Sequence, residues 1–198
     1  PPGTNMLPEA LLPLESTLSR LGEDLAADQA DALLRYRDLL VASNPRYSLV
    51  SRADVTRIIS RHFVESADLV RWIPRDTAKI ADLGSGGGLP GLVIKILRPA
   101  AIVALLERRH RKQVFLRLAV RKLALSGAAV FSNPSELHGE HSPPFDRVVA
   151  RAVGPLNRVL PIASELLRDG GLLVAPKGSR GREELSAAAR TPSPSENK

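Results

Sequence analysis

The run Ile80-Ala81-Asp82-Leu83-Gly84-Ser85-Gly86-Gly87-Gly88-Leu89-Pro90-Gly91 has the residue types and the spacing to seat a nucleoside. An apolar strand enters a glycine-rich turn, and an apolar helix candidate, Leu92 to Leu97, follows at once. Gly84, Gly86 and Gly88 let the main chain approach a ligand, because no side chain stands in the way. Glu107 ends the next apolar run, Ala101 to Leu106, the place where a carboxylate on a second strand accepts ribose hydroxyls. The order Asp-x-Gly-x-Gly-x-Gly leans toward S-adenosylmethionine over a dinucleotide. A dinucleotide loop wants its third glycine at position 89, for close helix–strand packing, and Leu89 stands there. Glycines alone fit a purely structural turn. Strand, helix and downstream acid in register favour the pocket.

Other candidates lie around that loop. Between Arg98 and Lys122 eight basic residues meet one acid, Glu107, so this stretch holds an excess equal to the whole net charge of +7. Beside a cofactor pocket, such concentration points to a polyanionic substrate, RNA or DNA first, with a solvated helix face as the bland alternative. Arg111 and Lys112 head the helix expected after the second strand, and Lys177 follows the fifth strand near the same rim. All three are placed to meet phosphate. Arg151 stands at the carboxyl end of the fourth strand, where open α/β sheets bind ligands, and its fork suits a cofactor carboxylate or a phosphate. His62 sits on an apolar helix face four residues after Ile58, so a hydrogen-bonded core histidine competes with a substrate-side role. Asp82 is expected to order the loop backbone. Ser142-Pro143-Pro144-Phe145 has the form found in methyltransferases acting on exocyclic amines, but it precedes its strand and is expected merely to start it.

These residues need a scaffold. A chain of 198 residues with 43% hydrophobic and 25% charged content suits one α/β domain with a small helical appendage. The absence of cysteine excludes disulfides, thiolate zinc sites and covalent addition to cytosine; no metal is expected. No apolar run nears the ~18 residues of a membrane span, and a cytoplasmic, non-membrane protein is expected. Residues 1–75 read as a helical extension. Leu25, Ala32, Leu33, Tyr36, Leu39 and Leu40 give one apolar stripe, which Asn44-Pro45 should end because the residue before proline avoids the α region. Ser51-Arg52-Ala53-Asp54 has capping-box form, and Val55, Ile58, Ile59, His62, Phe63, Ser66, Leu69 and Val70 continue it as a second helix. From 76 to 185 strands at 79–83, 101–106, 128–132, 146–150 and 171–175 alternate with helices at 90–97, 108–125 and 155–168. That alternation predicts a doubly wound parallel sheet of Rossmann type. Residues 186–198 read as a disordered tail.

Taken together, these motifs look familiar. Asn44-Pro45-Arg46-Tyr47-Ser48-Leu49, Arg61-His62-Phe63-Val64-Glu65-Ser66, the loop from Asp82 through Leu89-Pro90-Gly91, Phe145-Asp146, Arg151-Ala152-Val153-Gly154-Pro155-Leu156 and Lys177-Gly178 carry a resemblance. The chain resembles the bacterial small-subunit ribosomal RNA methyltransferase G family, also called glucose-inhibited division protein B, from about Tyr36 to Leu185. The resemblance implies a Rossmann-like, S-adenosylmethionine-dependent enzyme that methylates N7 of a guanine in 16S rRNA of the small ribosomal subunit. It also implies that Gly84, Leu89, Pro134, Ser135 and Arg151 contact the cofactor, and it raises His62 as a substrate-side residue. Ser48, Glu65 and Ala150 stand where the family usually has Asn, Asp and Ser. Asn133-Pro134-Ser135-Glu136 replaces Arg-x-Glu-[Glu/Asp], with Glu136 carrying a charge one position along. After Lys177-Gly178 the family runs on into two more strands that this sequence lacks. A five-stranded sheet with an uncovered edge is therefore expected, in a monomer with a route to self-association. The alternative reading is a degenerate cofactor- or RNA-binding protein, or a methyltransferase for another nucleic-acid base.

Overall fold

The computed structural model describes residues 8–76, 78–178 and 181–189, with the side chains of 187–189 excepted. Two helices open it, α1 (Leu12–Arg20) and α2 (Ala27–Tyr47). A chain of short helical turns follows: 3-10 at Arg52–Arg57, π at Ile58–Phe63, α3 at Val64–Ala67 and 3-10 again at Asp68–Trp72. The alternating half is then β1 (Lys79–Leu83), α4 (Gly91–Leu97), β2 (Ile102–Leu106), α5 (His110–Lys122), β3 (Ala128–Phe131), β4 (Phe145–Ala150), α6 (Leu156–Leu166), β5 (Leu167–Val174) and α7 (Gly181–Ala189).

All five strands are parallel, in the order β3-β2-β1-β4-β5. A parallel sheet must be covered on both faces, and the pleat divides its side chains accordingly. Ile80, Val103, Leu105 and Val149 face a large cluster shared with α2, α4, α5 and the turns around Phe63. Ala81, Leu83, Ala104, Leu106, Val148 and Ala150 face a smaller cluster closed by Val159, Ala163 and Leu166 of α6. The helical extension therefore belongs to the same core as the sheet. A buried ion pair fixes it there: Arg98, after α4, donates to both Glu23 oxygens at 2.6 and 2.7 Å.

The structure corrects several expectations. Helix α2 does not end at Asn44-Pro45 but runs to Tyr47. Only two residues remain beyond the proline, and the Asn44 side chain stabilises the helix end by accepting the amides of Leu49 and Val50 at 2.8 and 2.9 Å. Ser51 does cap the next segment, accepting the Asp54 amide at 3.2 Å, yet the expected regular helix is broken into tight and wide turns. The expected β5 of 171–175 begins at Leu167, because α6 passes straight into it. Its pairing jumps from Phe145↔Leu167 to Arg147↔Leu172, so the residues between Leu167 and Leu172 form a bulge. Helix α7 carries the chain through 186–189, part of the expected tail; residues 190–198 lie outside the described residues. Among the described residues β5 is an edge strand, with Leu172 exposed.

Candidate active site

The strand order reverses between β1 and β4, which opens a crevice at the carboxyl ends of the strands. Loop 84–90 leaves β1 there. Its path is set by main-chain bonds: the amides of Gly84 and Ser85 donate to the Leu106 carbonyl at 2.8 and 3.0 Å. Gly88 and Leu89 amides donate to the Ser85 carbonyl at 2.7 and 3.1 Å. Gly84, Gly86 and Gly88 have φ of 69°, 58° and 90°, conformations that side chains rarely adopt.

The three glycines differ in what they face. A Cβ on Gly84 would come within 2.9 Å of Val153, and one on Gly88 within 2.5 Å of Leu92 and 2.6 Å of the Tyr36 hydroxyl. On Gly86 it would meet nothing nearer than 3.7 Å. Gly86 is the open position of the loop, the place where a ligand can lie on bare main chain.

Glu107 braces that position. Its carboxylate is 7% exposed; one oxygen accepts the Gly86 amide at 2.9 Å and the other the Arg109 amide at 2.8 Å. Each oxygen keeps a lone pair for a further donor such as a ribose hydroxyl. Lys112 reaches back over the loop, its Nζ 3.8 Å from the point a Gly86 Cβ would occupy. Asp82 is fully buried and accepts the Gly91 amide at 3.1 Å, at the start of α4. Burial pushes its pKa up to about 7. It orders the loop from beneath.

Arg151 and His62 come together on the far side of the crevice. One guanidinium nitrogen donates to His62 Nδ1 at 3.1 Å and to a Glu65 oxygen at 2.9 Å. An accepting Nδ1 leaves the proton of a neutral ring on Nε2. That nitrogen lies 3.7 Å from Asp54 and has no hydrogen-bond partner. Burial, and then the charge of Arg151, hold the His62 pKa below its ordinary value.

The remaining predicted residues divide. Leu89 turns its side chain into the large core, leaving only its main chain for a ligand. Pro134 and Ser135 form a 3-10 turn beyond β3, exposed at the rim; the Ser135 hydroxyl and amide both donate to Asn133 Oδ1, at 2.6 and 3.0 Å. Glu136 folds back to accept the Ser132 amide at 2.8 Å. Arg111 donates to the Arg46 carbonyl in the last turn of α2 and, with Arg46, Arg108 and Arg109, gives the rim its positive charge. Lys177 is neutralised, paired with Glu184 at 2.9 Å and donating to the Gly154 carbonyl. Ser142-Pro143-Pro144 lies at the opposite end of β4, where Phe145 is fully buried.

Sequence reasoning missed Tyr36 as part of the site. It reads as one residue of an apolar stripe, and its only distinguishing signal is a hydroxyl in otherwise hydrocarbon company. A cavity of about 290 Å³ lies elsewhere, lined by Leu18, Gln29, Arg75, Leu97 and Arg98 near the amino ends of β1 and β2. It holds no glycine loop and no strand carboxyl end, and both terminal nitrogens of Arg98 are already bonded to Glu23. Among the described residues no group of three His, Cys, Asp or Glu side chains could hold a metal ion, and no helix is long and apolar enough to cross a membrane.

A family model described as rRNA small subunit methyltransferase G matches residues 29–197. A ribosomal RNA small subunit methyltransferase G of Xanthomonas campestris pv. campestris (strain B100) is 39% identical over 165 residues, 83% of this chain and 76% of that relative. Among solved structures, a protein-L-isoaspartate O-methyltransferase superposes with a TM-score of 0.55 at 15% identity, covering 82% of this chain and 54% of that one. Coclaurine N-methyltransferase, solved with N-methylheliamine and SAH, gives 0.53 at 16% identity, over 72% of this chain and 43% of that one. At such identities the structures establish likeness of fold alone.

Proposed function

We propose, from the premise that this chain belongs to the rRNA small subunit methyltransferase G family, that it moves a methyl group from S-adenosylmethionine to N7 of a guanine in 16S rRNA. The observation that carries this reading is Gly86, bare and open at the sheet's switch point, with the Glu107 carboxylate bonded to its amide. The donor set fits a nucleoside cofactor. Open main chain at Gly86 accommodates its body, Glu107 has acceptors left for ribose hydroxyls, and the 134–135 turn borders the place for the base.

Bound S-adenosylmethionine supplies an activated methyl with its own leaving group. Guanine N7 offers a lone pair and carries no proton, so no general base is required of the chain. The work of the side chains is alignment, which can lower a barrier by ~7–11 kcal/mol when the reacting atoms are well held. Arg151, steadied by Glu65 and His62, supplies a cation for the cofactor carboxylate or an RNA phosphate. Neutral His62 keeps its Nε2 proton buried beside Asp54, so it serves the substrate side through the Nδ1 atom that holds Arg151. Arg111 and Lys112 contribute to a phosphate-binding rim, with Lys112 nearer the cofactor than the outer surface. Lys177 reaches phosphate only by leaving Glu184.

Small ribosomal subunits lacking the modification, incubated with the protein and methyl-labelled S-adenosylmethionine, test the reading. One 7-methylguanine in 16S rRNA is expected. Label on a different base, or none, overturns it. Cofactor binding with no transfer would favour the alternative of a non-catalytic binder, for which the committed Ser135 and folded-back Glu136 already speak.

A further inference from the structure

Tyr36 belongs to the helical extension, yet its side chain ends at the cofactor loop. The residue is fully buried and stacks on Phe63, with ring centroids 5.2 Å apart and planes 10° from parallel. Its hydroxyl donates to the Gly87 carbonyl at 2.5 Å, across 51 residues of sequence. The loop yields around this contact. Any side chain at Gly88 would strike the hydroxyl, and one at Gly87 would press on Leu40 and Leu49 at 3.3 Å. Three residues from α2 and the turn beyond it therefore lie against the loop from one side, while Glu107 holds it from the other.

We propose that Tyr36 is a positioning residue for the cofactor: by holding the Gly87 carbonyl it fixes the Gly87–Gly88 peptide, whose amide closes the loop onto the Ser85 carbonyl at 2.7 Å, and so sets the loop path on which the Gly86 amide meets Glu107 and the open face of Gly86 is presented to the ligand. The extension is thereby a working part of the cofactor site. A peptide plane is rigid, so fixing its carbonyl fixes the direction of everything bonded across it. The buried phenol has no water to turn to, which makes the bond to Gly87 its one means of satisfaction and gives the loop a defined orientation. This inference rests on the cofactor reading above.

Tyr36→Phe removes the hydroxyl and keeps the stacked ring. Titration with S-adenosylhomocysteine should show affinity about fivefold or more weaker, the part of a buried hydrogen bond that the loop loses. KM for S-adenosylmethionine should rise by a similar factor while kcat at saturation holds. Val159→Ala, a cavity in the opposite core cluster, serves as a control that lowers stability and leaves affinity intact. Unchanged affinity in Tyr36→Phe, with stability lost as in the control, overturns the proposal. If Tyr36→Phe does not fold, amide exchange in the wild-type protein decides: S-adenosylhomocysteine should slow exchange in 33–40 together with 84–91, and protection of the loop alone contradicts the coupling. Failure of the wild-type protein to bind S-adenosylhomocysteine would sink the cofactor reading itself, a distinguishable result.

Discussion

Arg151 and His62 lie 3.1 Å apart although 89 residues separate them, and the bond joins the carboxyl end of β4 to a π-helical turn of the extension. Wide turns of this kind are frequent at functional sites, since the extra residue re-aims a side chain that a regular helix would point elsewhere. Glu65 completes the arrangement from the next turn. The crevice thus has a wall built from the extension, and its carboxylate and imidazole hold Arg151.

Arg151→Ala should separate function from stability. Glu65 is about half exposed, so the ion pair is screened and contributes no more than ~1 kcal/mol. The melting temperature should move little while methyl transfer falls by at least about tenfold, as expected for a lost charge-assisted contact. The His62 pKa, read by NMR titration, should rise, because the positive neighbour that lowers it is gone.

Gly86→Ala and Gly88→Ala should fail in different ways. At Gly86 the added methyl finds space, so the fold pays only the left-handed backbone cost of ~1–2 kcal/mol while S-adenosylhomocysteine binding is lost. At Gly88 the methyl meets Leu92 and Tyr36 at 2.5 and 2.6 Å, and a further ~1–3 kcal/mol of overpacking should appear in chemical denaturation. Equal affinity in wild type and Gly86→Ala would contradict the assignment of the open position.

Asp82 gives the fold a pH dependence of defined sign. Its folded pKa of about 7 lies above the ordinary 3.8, so the folded state binds the proton more tightly. Its contribution to stability is fully present below pH 3.8 and is lost as the pH rises through about 7. Asp82→Asn keeps an acceptor for the Gly91 amide and cannot ionise. Urea midpoints at pH 5 and pH 8 should therefore fall less steeply with pH in the variant than in the wild type.

Replacing both Arg111 and Lys112 by Gln tests the basic rim. Each cation that meets a phosphate releases a counterion, so the slope of log affinity for 16S rRNA against log salt should flatten by about 1.5. An unchanged slope would place the RNA footprint elsewhere.

Much of this was legible because the alternating half obeys local rules. Strand β1 occupies the predicted 79–83, and Glu107 stands one residue past the Leu83↔Leu106 register pair that brings it to the loop. The extension is harder to read. Asn44-Pro45 signals a helix end by backbone sterics, but a side-chain bond six residues on outweighs it. The stripe from Val55 to Val70 has helical period, which conceals that its turns tighten and widen to deliver His62 to Arg151. Tyr36 and Lys177 show the two limits of residue type. A hydroxyl counted among core residues proves to touch the loop, and a lysine expected to meet phosphate is paired with a glutamate. The bond from Tyr36 to Gly87 spans 51 residues, a distance that no local spacing encodes.

A crystal structure of the complex with S-adenosylhomocysteine tests the central claim most directly. The account predicts the ribose hydroxyls on Glu107 and the ligand lying over Gly86, with Tyr36 still bonded to Gly87. Density in the cavity beside Arg75 and Arg98, with the space over Gly86 empty, would contradict it.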